Sequence, residues 1–464
     1  MSSLQPVLEQ IEKDSQQALD RLFEFLRIES ISTDPAYATQ CADAADWLVK
    51  DLQSFGVNAS RHDTPGHPMV TGHTGVGGDS GSAAAKVLFY GHYDVQPVDP
   101  LELWNNPPFS PLLEDTAHGK VIRARGAADD KGQLMTFVEA CRAWHKVHGT
   151  LPADITFLFE GEEESGSPSL VPFLKQHADQ LRADLALVCD TGMWNADTPA
   201  ICTMLRGMLG EEITITAADK DLHSGMYGGA AQNPIKILTH ILAGLHDDQG
   251  RVTIPGFYDG VDPLPAQIAE QWNSLGFNAD EFLGEVDLSV VAGEKDYSAL
   301  EQLWSRPTCE MNGITGGYTG DGFKTVLPSK ASAKVSFRLV GDQDPHAIRK
   351  NFREYVQQQL PADCTVEFEE HGASPGIVLP LDNPAFEKSR LALSDEWEGE
   401  AVYTGCGGSI PIVGYFREYL GMDSLMIGFG LDDDQIHSPN EKYSLKSFQK
   451  GIRSWARVLD SLAG

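Results

Sequence analysis

The chain has 464 residues, a length that favours two or three domains over a single core. Its formal net charge of −32 argues against nucleic-acid binding, because affinity for a phosphate backbone comes from Lys and Arg. Its seven scattered cysteines include no CxxC pair, which argues against a disulfide framework or a thiolate zinc site and favours a reducing, cytoplasmic compartment.

The first two hundred residues alternate between helix and strand patterns. Apolar spacing predicts an amphipathic helix, not a signal peptide, from Leu4 to about Ile28, and a second helix from Ala42 to Phe55. A Gly/Ser-rich loop is predicted at 75–85, before the strand "KVLFYG". A helix that follows "GAADDKGQ" and ends at Gly149 comes next, and then the strands "DITFLFE" and "DLALVCD". This alternation predicts an α/β domain with a mainly parallel sheet.

The pattern changes from about Leu205. The segments "GEEITITAAD" and "SKASAKVSFRLVGD" alternate like half-exposed antiparallel strands, and "NPIKILTHILAGLHD" predicts a helix opened by Asn-Pro. Near Leu381 the α/β pattern returns, with a helix, the strand "DSLMIGFG" and a closing helix. We therefore predict a discontinuous α/β domain of residues 1–205 and 383–464, with an α+β insert of residues 206–382. No apolar run reaches the roughly 20 residues needed to span a bilayer.

Residues that bind metals follow four predicted strands and precede one helix. They are His92 and Asp94, Asp129 and Asp130, Glu160 and Glu162 to Glu164, Asp190, and His437. Singly, each has an ordinary explanation as a turn residue, a helix cap or an acidic surface loop. Carboxyl ends of parallel strands share one edge of a sheet, however, so these residues could converge. Two His and at least three carboxylates form the donor set of a site for two borderline metal ions, with one carboxylate shared.

Six motifs occur in order along nearly the whole chain: "GHYDVQP", "GAADDKG", "EGEEESGS", "CDTGMW", "KDLHSGMYGG" and "IHSPNEK". With them the chain resembles the co-catalytic zinc metallopeptidases that include carnosine and cytosolic nonspecific dipeptidases, carboxypeptidase G, succinyl-diaminopimelate desuccinylase and acetylornithine deacetylase. The resemblance is closest to the dipeptidase branch. It implies a zinc-exopeptidase-like α/β sandwich with an inserted lid and dimerisation domain, in a homodimeric hydrolase that acts on a small peptide or acyl-amino acid.

The resemblance also implies roles for the strand-end residues. His92 and Asp190 would hold one metal ion, Glu164 and His437 the other, and Asp129 would bridge them. Glu163 would be the general base, and Asp94 would hydrogen-bond the His92 ring and fix its tautomer. The ions would be Zn²⁺, although Mn²⁺ and Co²⁺ share these ligands. Glu160 and Glu162 are left with a structural or solvent-facing role.

In the insert, the resemblance implies residues that contact the substrate. His223 would stabilise the oxyanion from the partner subunit, and Arg338 would clamp the substrate carboxylate. Thr325 and His371 match further contacts of the family. In "GCGGSIP", Gly407, Gly408 and Ser409 would offer main-chain N–H groups and a hydroxyl to the same carboxylate.

Gly405 and Cys406 depart from the pattern of the nearest relatives, in which Arg-Glu commonly precedes Gly-Gly-Ser-Ile-Pro. The missing acid removes a partner for a substrate ammonium, so two functions stay open: a dipeptidase and an N-acyl-amino-acid deacylase. A non-catalytic metal- or peptide-binding protein would be expected to lack Glu163, which is present. A nucleotide enzyme is disfavoured because "GVGGDSG" precedes a strand and lacks a following Lys-Ser/Thr.

Overall fold

The computed structural model describes residues 3–75, 85–284 and 286–463, so the loop predicted for 75–85 lies almost wholly outside the described residues. The described strands are β1 (Asn58–His62), β2 (Met69–His73), β3 (Lys86–His92), β4 (Leu112–Thr116), β5 (Gly119–Arg123), β6 (Asp154–Glu160), β7 (Leu185–Val188), β8 (Ala200–Leu205), β9 (Gly207–Thr216), β10 (Leu222–His223), β11 (Thr308–Gly316), β12 (Val326–Leu327), β13 (Lys330–Leu339), β14 (Thr365–Ser374), β15 (Ile377–Val378), β16 (Val402–Cys406), β17 (Ser424–Gly428) and β18 (Lys442–Ser444). The described α-helices are α1 (Leu4–Lys13), α2 (Ser15–Leu26), α3 (Ala38–Gln53), α4 (Lys131–His148), α5 (Leu170–Leu181), α6 (Ser224–Tyr227), α7 (Pro234–Ala243), α8 (Ala266–Ser274), α9 (Ala279–Gly284), α10 (Ala299–Trp304), α11 (Pro345–Gln358), α12 (Pro384–Ser394), α13 (Pro411–Tyr415) and α14 (Leu445–Ala463).

The chain divides into two compact units. The first comprises Met1–Thr203, Leu379–Thr404 and Ile412–Gly464, and the second comprises Met204–Val378 and Gly405–Pro411. The sequence pattern places residues 405–411 with the closing α/β segment, whereas the structure assigns them to the second unit.

The large sheet of the first unit has the strand order β1-β2-β6-β3-β7-β17-β8. Its centre is parallel, since β3 pairs in parallel with both β6 and β7, and β17 pairs in parallel with β7. The pairs β1–β2, β2–β6 and β17–β8 are antiparallel. The predicted α/β class is confirmed, with antiparallel strands flanking the parallel centre. The parallel centre is largely buried, as parallel strands generally are.

An aromatic cluster fixes β3 against helix α4. The rings of Phe89 and Phe137 stack with their centroids 3.8 Å apart, and Trp455 of α14 meets both rings edge-on at 5.9 and 5.2 Å. Edge-to-face and stacked aromatic pairs stabilise a core beyond the burial of their area. The strand that ends in His92 and the helix that follows Asp129 are therefore held to each other by a rigid core.

The N-terminal region differs from the prediction of a single first helix. The helix is interrupted at Asp14, whose backbone leaves the helical region and whose carboxylate binds Lys146 at 2.8 Å. Helices α1 and α2 each bury one apolar face, so the hydrophobic periodicity continues across the break and predicts one helix where the structure has two. Helix α3 begins at Ala38, four residues earlier than predicted, after a turn that Asp34 caps.

The second unit contains a four-stranded antiparallel sheet with the order β11-β13-β9-β14. Helices α7 and α11 pack on it around a core that includes Ile213, Leu238, Phe337 and Phe352. The insert therefore has a hydrophobic core of its own. In the described part of the chain, no helix combines the length and the apolar character needed to cross a membrane.

Candidate metal centre

Four parallel strands bring the predicted metal-binding residues to one edge of the sheet. His92 is the last residue of β3, and Glu163 and Glu164 form a short 3₁₀ turn just after β6. Asp190 follows β7, and His437 lies in the loop after β17. Parallel strands end at the same edge, which is why residues separated by hundreds of positions meet there.

Two groups of potential ligands share one carboxylate. His92, Asp129 and Asp190 form the first group and Asp129, Glu164 and His437 the second, and in each group the ligand atoms lie within 4.8 Å of one another. Asp129 Oδ1 is 3.1 Å from His92 Nε2, and Asp129 Oδ2 is 3.0 Å from His437 Nε2. The two oxygens of Asp129 thus face two different histidines, the geometry expected of a carboxylate that bridges two cations.

The donor atoms of this centre are imidazole nitrogens and carboxylate oxygens. No cysteine belongs to either group in the described residues. Such a set suits Zn²⁺, Mn²⁺ or Co²⁺ and does not suit soft thiolate-seeking ions. The residues present therefore fit the two divalent metal ions that the sequence predicts.

The His92 ring is oriented from its other nitrogen. Nδ1 is 3.1 Å from the main-chain carbonyl oxygen of Asp94 and 3.4 Å from that residue's carboxylate Oδ1. The ring nitrogen thus faces both the main chain and the carboxylate of Asp94, and the carboxylate is one of the groups that raise the pKa of His92. Asp94 Oδ2 also accepts from the backbone N–H of Glu164 at 3.0 Å. Asp94 consequently connects the end of β3 to the turn that carries both Glu163 and Glu164.

Electrostatics in the centre favour histidines that carry a proton in the metal-free protein. Hydrogen bonds to Asp129 and Glu164 raise the pKa of His437 to about 10. Burial raises the pKa of Asp129, but the hydrogen bonds from His437 and His92 outweigh it and hold that pKa below its ordinary value. Burial raises the pKa of Asp190 well above the ordinary range. Cations would replace these protons, because ligands bind metals in their deprotonated forms.

Glu163 differs from its neighbour in its surroundings. Glu164 accepts a hydrogen bond from Gln96 Nε2 at 2.6 Å and has its Oε2 3.3 Å from His437 Nε2. Glu163 belongs to neither ligand group and is half-buried beside them. Burial raises its pKa, and Glu164 and Asp94 add to the effect against the opposing influence of His92. A carboxyl group with a raised pKa next to a metal centre is suited to proton transfer.

The other two glutamates of "EGEEESGS" are buried. Glu162 accepts from the backbone N–H groups of His67 at 2.8 Å and Ser169 at 2.9 Å, so it joins two loops. Glu160 accepts from Tyr90 Oη at 2.6 Å, and burial raises its pKa to about 8. Of the two roles left open by the sequence, the structural one holds and the solvent-facing one is wrong.

Sequence reasoning missed Glu441, which supports the loop that carries Asp129. Its buried carboxylate accepts from the backbone N–H groups of Gly126, Ala128 and Asp129 at 2.9, 2.9 and 3.1 Å, and from Arg125 Nη1 at 2.8 Å. Glu441 belongs to the same motif, "IHSPNEK", as the candidate ligand His437. A glutamate four residues after a candidate ligand is the signal that could have found it.

In the second unit, two of the predicted substrate residues lie on one β-ribbon. Strand β10 pairs with β12, so that His223 is opposite Val326, and Ser224 N donates to Thr325 O at 3.1 Å. His223 is exposed, and its Nδ1 accepts from Gly225 N at 3.0 Å. A neutral ring that accepts at Nδ1 carries its proton on Nε2, which leaves Nε2 as a donor.

The remaining predicted residues of the second unit lie on its sheet and on 405–411. Arg338 of β13 is half-buried and donates from Nη1 to Ser409 Oγ at 3.3 Å. Gly407 and Gly408 precede that serine and are half-buried. His371 is exposed at a bulge of β14, where the register with β9 shifts between Glu370 and Ala373.

Comparisons with known proteins agree with this geometry. The model of the peptidase family M20/M25/M40 matches residues 88–461. The Cys-Gly metallodipeptidase DUG1 of Candida albicans is 30% identical, over 97% of this chain and 96% of the relative. The human Beta-Ala-His dipeptidase is 27% identical, over 99% of this chain and 93% of the relative. The solved structure of an M20 family metallo-carboxypeptidase, Sso-CP2 from Sulfolobus solfataricus, superposes with a TM-score of 0.81 at 30% identity and covers 96% of this chain and 99% of its own.

Proposed function

This chain belongs to the peptidase family M20/M25/M40, and on that basis we propose that it is a dinuclear metallopeptidase that hydrolyses dipeptides, or dipeptide-like amides, with a free carboxylate. The observation that carries the proposal is the position of Asp129, whose two oxygens face His92 and His437 in two ligand groups. The names of the similar proteins, a Cys-Gly metallodipeptidase and a Beta-Ala-His dipeptidase, support the dipeptide as substrate.

Five residues would hold the metals: His92 and Asp190 at one ion, Glu164 and His437 at the other, and Asp129 between them. Zinc is the metal we propose, with Mn²⁺ or Co²⁺ as alternatives that bind the same donors. Two such ions, when bound, polarise the scissile carbonyl and lower the pKa of water. Two of these residues are held in place by hydrogen bonds before any metal binds, His92 by Asp94 and Glu164 by Gln96.

Glu163 would accept a proton from the attacking water and return it to the leaving amine. Its half-buried position beside the ligand groups and its raised pKa support both steps, because a general base must also act as the acid in the second half of the reaction. His223 would donate from Nε2 to the oxyanion that forms on the substrate. Arg338 and Ser409, together with Gly407 and Gly408, would bind the free carboxylate, while Thr325 and His371 would contact the rest of the substrate.

We propose that the enzyme is a homodimer in which His223 serves the partner subunit. Phe323 and Met226 flank the ribbon that carries His223 and Thr325, and they are 92% and 76% exposed. Strand β11 is an edge of the sheet of the second unit and exposes Ile314. Large exposed apolar side chains next to an open edge strand favour association with another copy. A cytoplasmic location is proposed because the seven cysteines are scattered along the chain and form no CxxC pair.

An N-acyl-amino-acid deacylase is a second candidate, supported by Gly405 and Cys406. A Cβ atom on Gly405 would lie 2.5 Å from Trp304 Cβ, so the indole occupies the space that a longer side chain at 405 would need. This chain therefore lacks the arginine that is common in relatives at this position, and Trp304 leaves no space for one. An acidic residue at 406 would pair with the free ammonium group of a dipeptide. Because Cys406 cannot form such a pair, a substrate with a capped amine forgoes no favourable contact at this position.

A panel of dipeptides beside their N-acetylated counterparts separates the two candidates. Cleavage of the free dipeptides supports the dipeptidase, whereas cleavage of the capped compounds alone supports the deacylase. In the latter case the Cys406→Glu variant should gain activity on free amines. Introducing arginine at 405 would require Trp304→Gly in the same protein, because the 2.5 Å contact is to the Cβ atom of Trp304, which alanine would keep.

Variants of the adjacent glutamates test the proposed mechanism. Glu163→Gln should lower kcat by at least about 100-fold with two metals still bound, because it removes proton transfer and no ligand. Glu164→Gln should also lower the metal content measured after dialysis. Glu102→Gln, at an exposed acid outside the centre, serves as the control. Full activity of Glu163→Gln would contradict the mechanism.

A further inference from the structure

Arg206 is attached to the segment Gly407–Ser409 by three hydrogen bonds. Its Nε donates to Gly407 O at 3.1 Å, its backbone N–H donates to Gly408 O at 3.1 Å, and its carbonyl accepts from Ser409 Oγ at 2.5 Å. The side chain is half-buried, and Nη1 also contacts Gln302 O at 3.5 Å. Arg206 therefore holds the main chain of the segment, and its guanidinium lies directly beside it.

Ser409 connects Arg206 to Arg338. The serine hydroxyl accepts from Arg338 Nη1 at 3.3 Å and donates to the carbonyl of Arg206. A Cβ atom on Gly407 would lie 3.0 Å from Arg206 Nη2, so that a glycine is what allows this nitrogen to approach the backbone so closely. Two guanidinium groups consequently converge on one short glycine-rich segment.

Among the described residues, no carboxylate forms a hydrogen bond or ion pair with either guanidinium. In the described part of the chain, every hydrogen bond of the Arg206 and Arg338 side chains goes to a neutral oxygen, namely Gly407 O, Gln302 O or Ser409 Oγ. Burial and the proximity of Arg338 lower the pKa of Arg206 to about 10, which reflects the cost of this arrangement. Glu310 opposes this shift electrostatically, but among the described residues no hydrogen bond or ion pair joins it to either guanidinium. In a chain with a net charge of −32, two neighbouring cations with no directly bonded acid indicate a site for an external anion.

We propose that Arg206 is a specificity-determining residue of the substrate-carboxylate site, where it positions the Gly407–Ser409 segment and adds a second positive charge beside Arg338. The inference rests on the proposed function and names the part of the substrate that Arg206 serves. A free carboxylate places a negative charge beside both cations, whereas a neutral carboxamide leaves both charges unbalanced. The enzyme should therefore select substrates with a free carboxylate more strongly than a single arginine would allow.

Steady-state kinetics of the metal-loaded enzyme test the proposal with a dipeptide and the same dipeptide as its C-terminal carboxamide. Arg206→Gln should raise KM for the dipeptide by about 10-fold or more while kcat stays within a few-fold, because one charge-assisted contact is lost. KM for the carboxamide should change less than about 3-fold. Arg206→Lys should recover part of the loss, since it restores the charge without the planar fork.

A matched control uses Arg353, which lies in the same unit but is already paired with Glu211 at 2.8 Å and with Glu370 at 3.0 Å. Arg353→Gln should leave the preference for carboxylate over carboxamide unchanged. If Arg206→Gln raised KM equally for the dipeptide and its carboxamide, or changed KM for neither, the proposal would be overturned. Arg206 would then have a structural role only.

A binding measurement separates this outcome from a failure of the proposed function. Calorimetric titration with leucine and with leucinamide reports recognition of the carboxylate without any turnover. If the wild-type enzyme hydrolyses neither substrate, the dipeptidase proposal fails, and the role of Arg206 is decided by titration alone. Weaker binding of leucine, but not of leucinamide, to Arg206→Gln supports the role; equal binding by the variant and the wild-type protein refutes it.

Discussion

At the scale of single residues, the centre is defined by how each carboxylate is satisfied. Asp129 faces two histidines, whereas Glu162 is satisfied by two backbone N–H groups and so is unavailable to a metal. Glu163 is left without either kind of partner among the described hydrogen bonds and ion pairs. Four glutamates that look alike in the sequence thus acquire different chemistry from their partners alone.

Metal binding to the dialysed protein should release protons at neutral pH. The pKa of His437 is raised to about 10 in the metal-free protein, so the ring is protonated below that pH and the metal must displace the proton. The apparent affinity should therefore rise with pH and level off above about 10. Calorimetry in buffers with different ionisation enthalpies measures the number of protons released.

Two variants check the origin of these protons. The His437→Ala variant should release fewer protons when metal is added, and it should bind the ion proposed for Glu164 and His437 more weakly. His118→Ala, at an exposed histidine outside both ligand groups, should release the same number as the wild-type protein. A proton count independent of His437 would contradict its assignment as a ligand.

At the scale of elements, the centre depends on loops that are fixed by contacts from distant parts of the chain. Glu441 lies just before β18 and accepts hydrogen bonds from three backbone N–H groups, those of Gly126, Ala128 and Asp129, although it is 315 residues from Gly126. The carboxylate also pairs with the buried Arg125. One side chain thus connects the segment that carries His437 to the loop that carries Asp129.

Glu441→Ala should lower both stability and metal affinity. The change removes the carboxylate partner of the buried Arg125 guanidinium and leaves three backbone N–H groups without their acceptor. Removing one partner of a buried ion pair costs about 3–5 kcal/mol. Metal affinity should fall about 10-fold or more, as is typical when a group that supports a ligand is lost. Urea unfolding and metal titration measure the two effects.

Glu441→Gln should lie between the wild-type protein and Glu441→Ala, because the amide oxygen still accepts hydrogen bonds. Asp433→Asn alters an exposed acid of the same loop that pairs with Lys442, and should change neither quantity measurably. Unchanged metal affinity in Glu441→Ala would show that the Asp129 loop keeps its position unaided.

At the scale of the whole molecule, both ligand groups belong to the first unit and the second unit has its own core. Phe89 and Phe137 are buried in the first unit, and Phe337 is buried in the second. A ligand stabilises only the folded part that binds it. Chelation should therefore act on the two units unequally.

Calorimetric unfolding should show two transitions, of which chelation lowers only one. At a free metal concentration 100 times the dissociation constant, binding contributes about 2.7 kcal/mol to the stability of the unit that contains the centre. Phe89→Leu should lower the metal-sensitive transition and Phe337→Leu the other, since each shortens a buried aromatic side chain. A single transition that shifts as a whole on chelation would contradict independent unfolding.

The sequence by itself determined the local features of this protein. Buried strands such as β3 and β7 follow from short apolar runs, and the end of α4 follows from Gly149, which adopts a positive φ of 72°. The sequence also predicts which residues bind metals and that they follow strands. Both the end of a strand and a His, Asp or Glu residue beside it can be recognised from a few neighbouring positions. The six ordered motifs predicted the family, which the comparisons confirm.

Only the tertiary structure decided how these residues are used. The sharing of Asp129 between His92 and His437, the burial of Glu162 and the support from Glu441 all depend on contacts across tens to hundreds of residues. The attachment of Arg206 to Gly407 spans 201 positions and has no local signature. Hydrophobic periodicity reports which face of an element is buried, whereas the partner of a polar side chain is chosen when the elements pack.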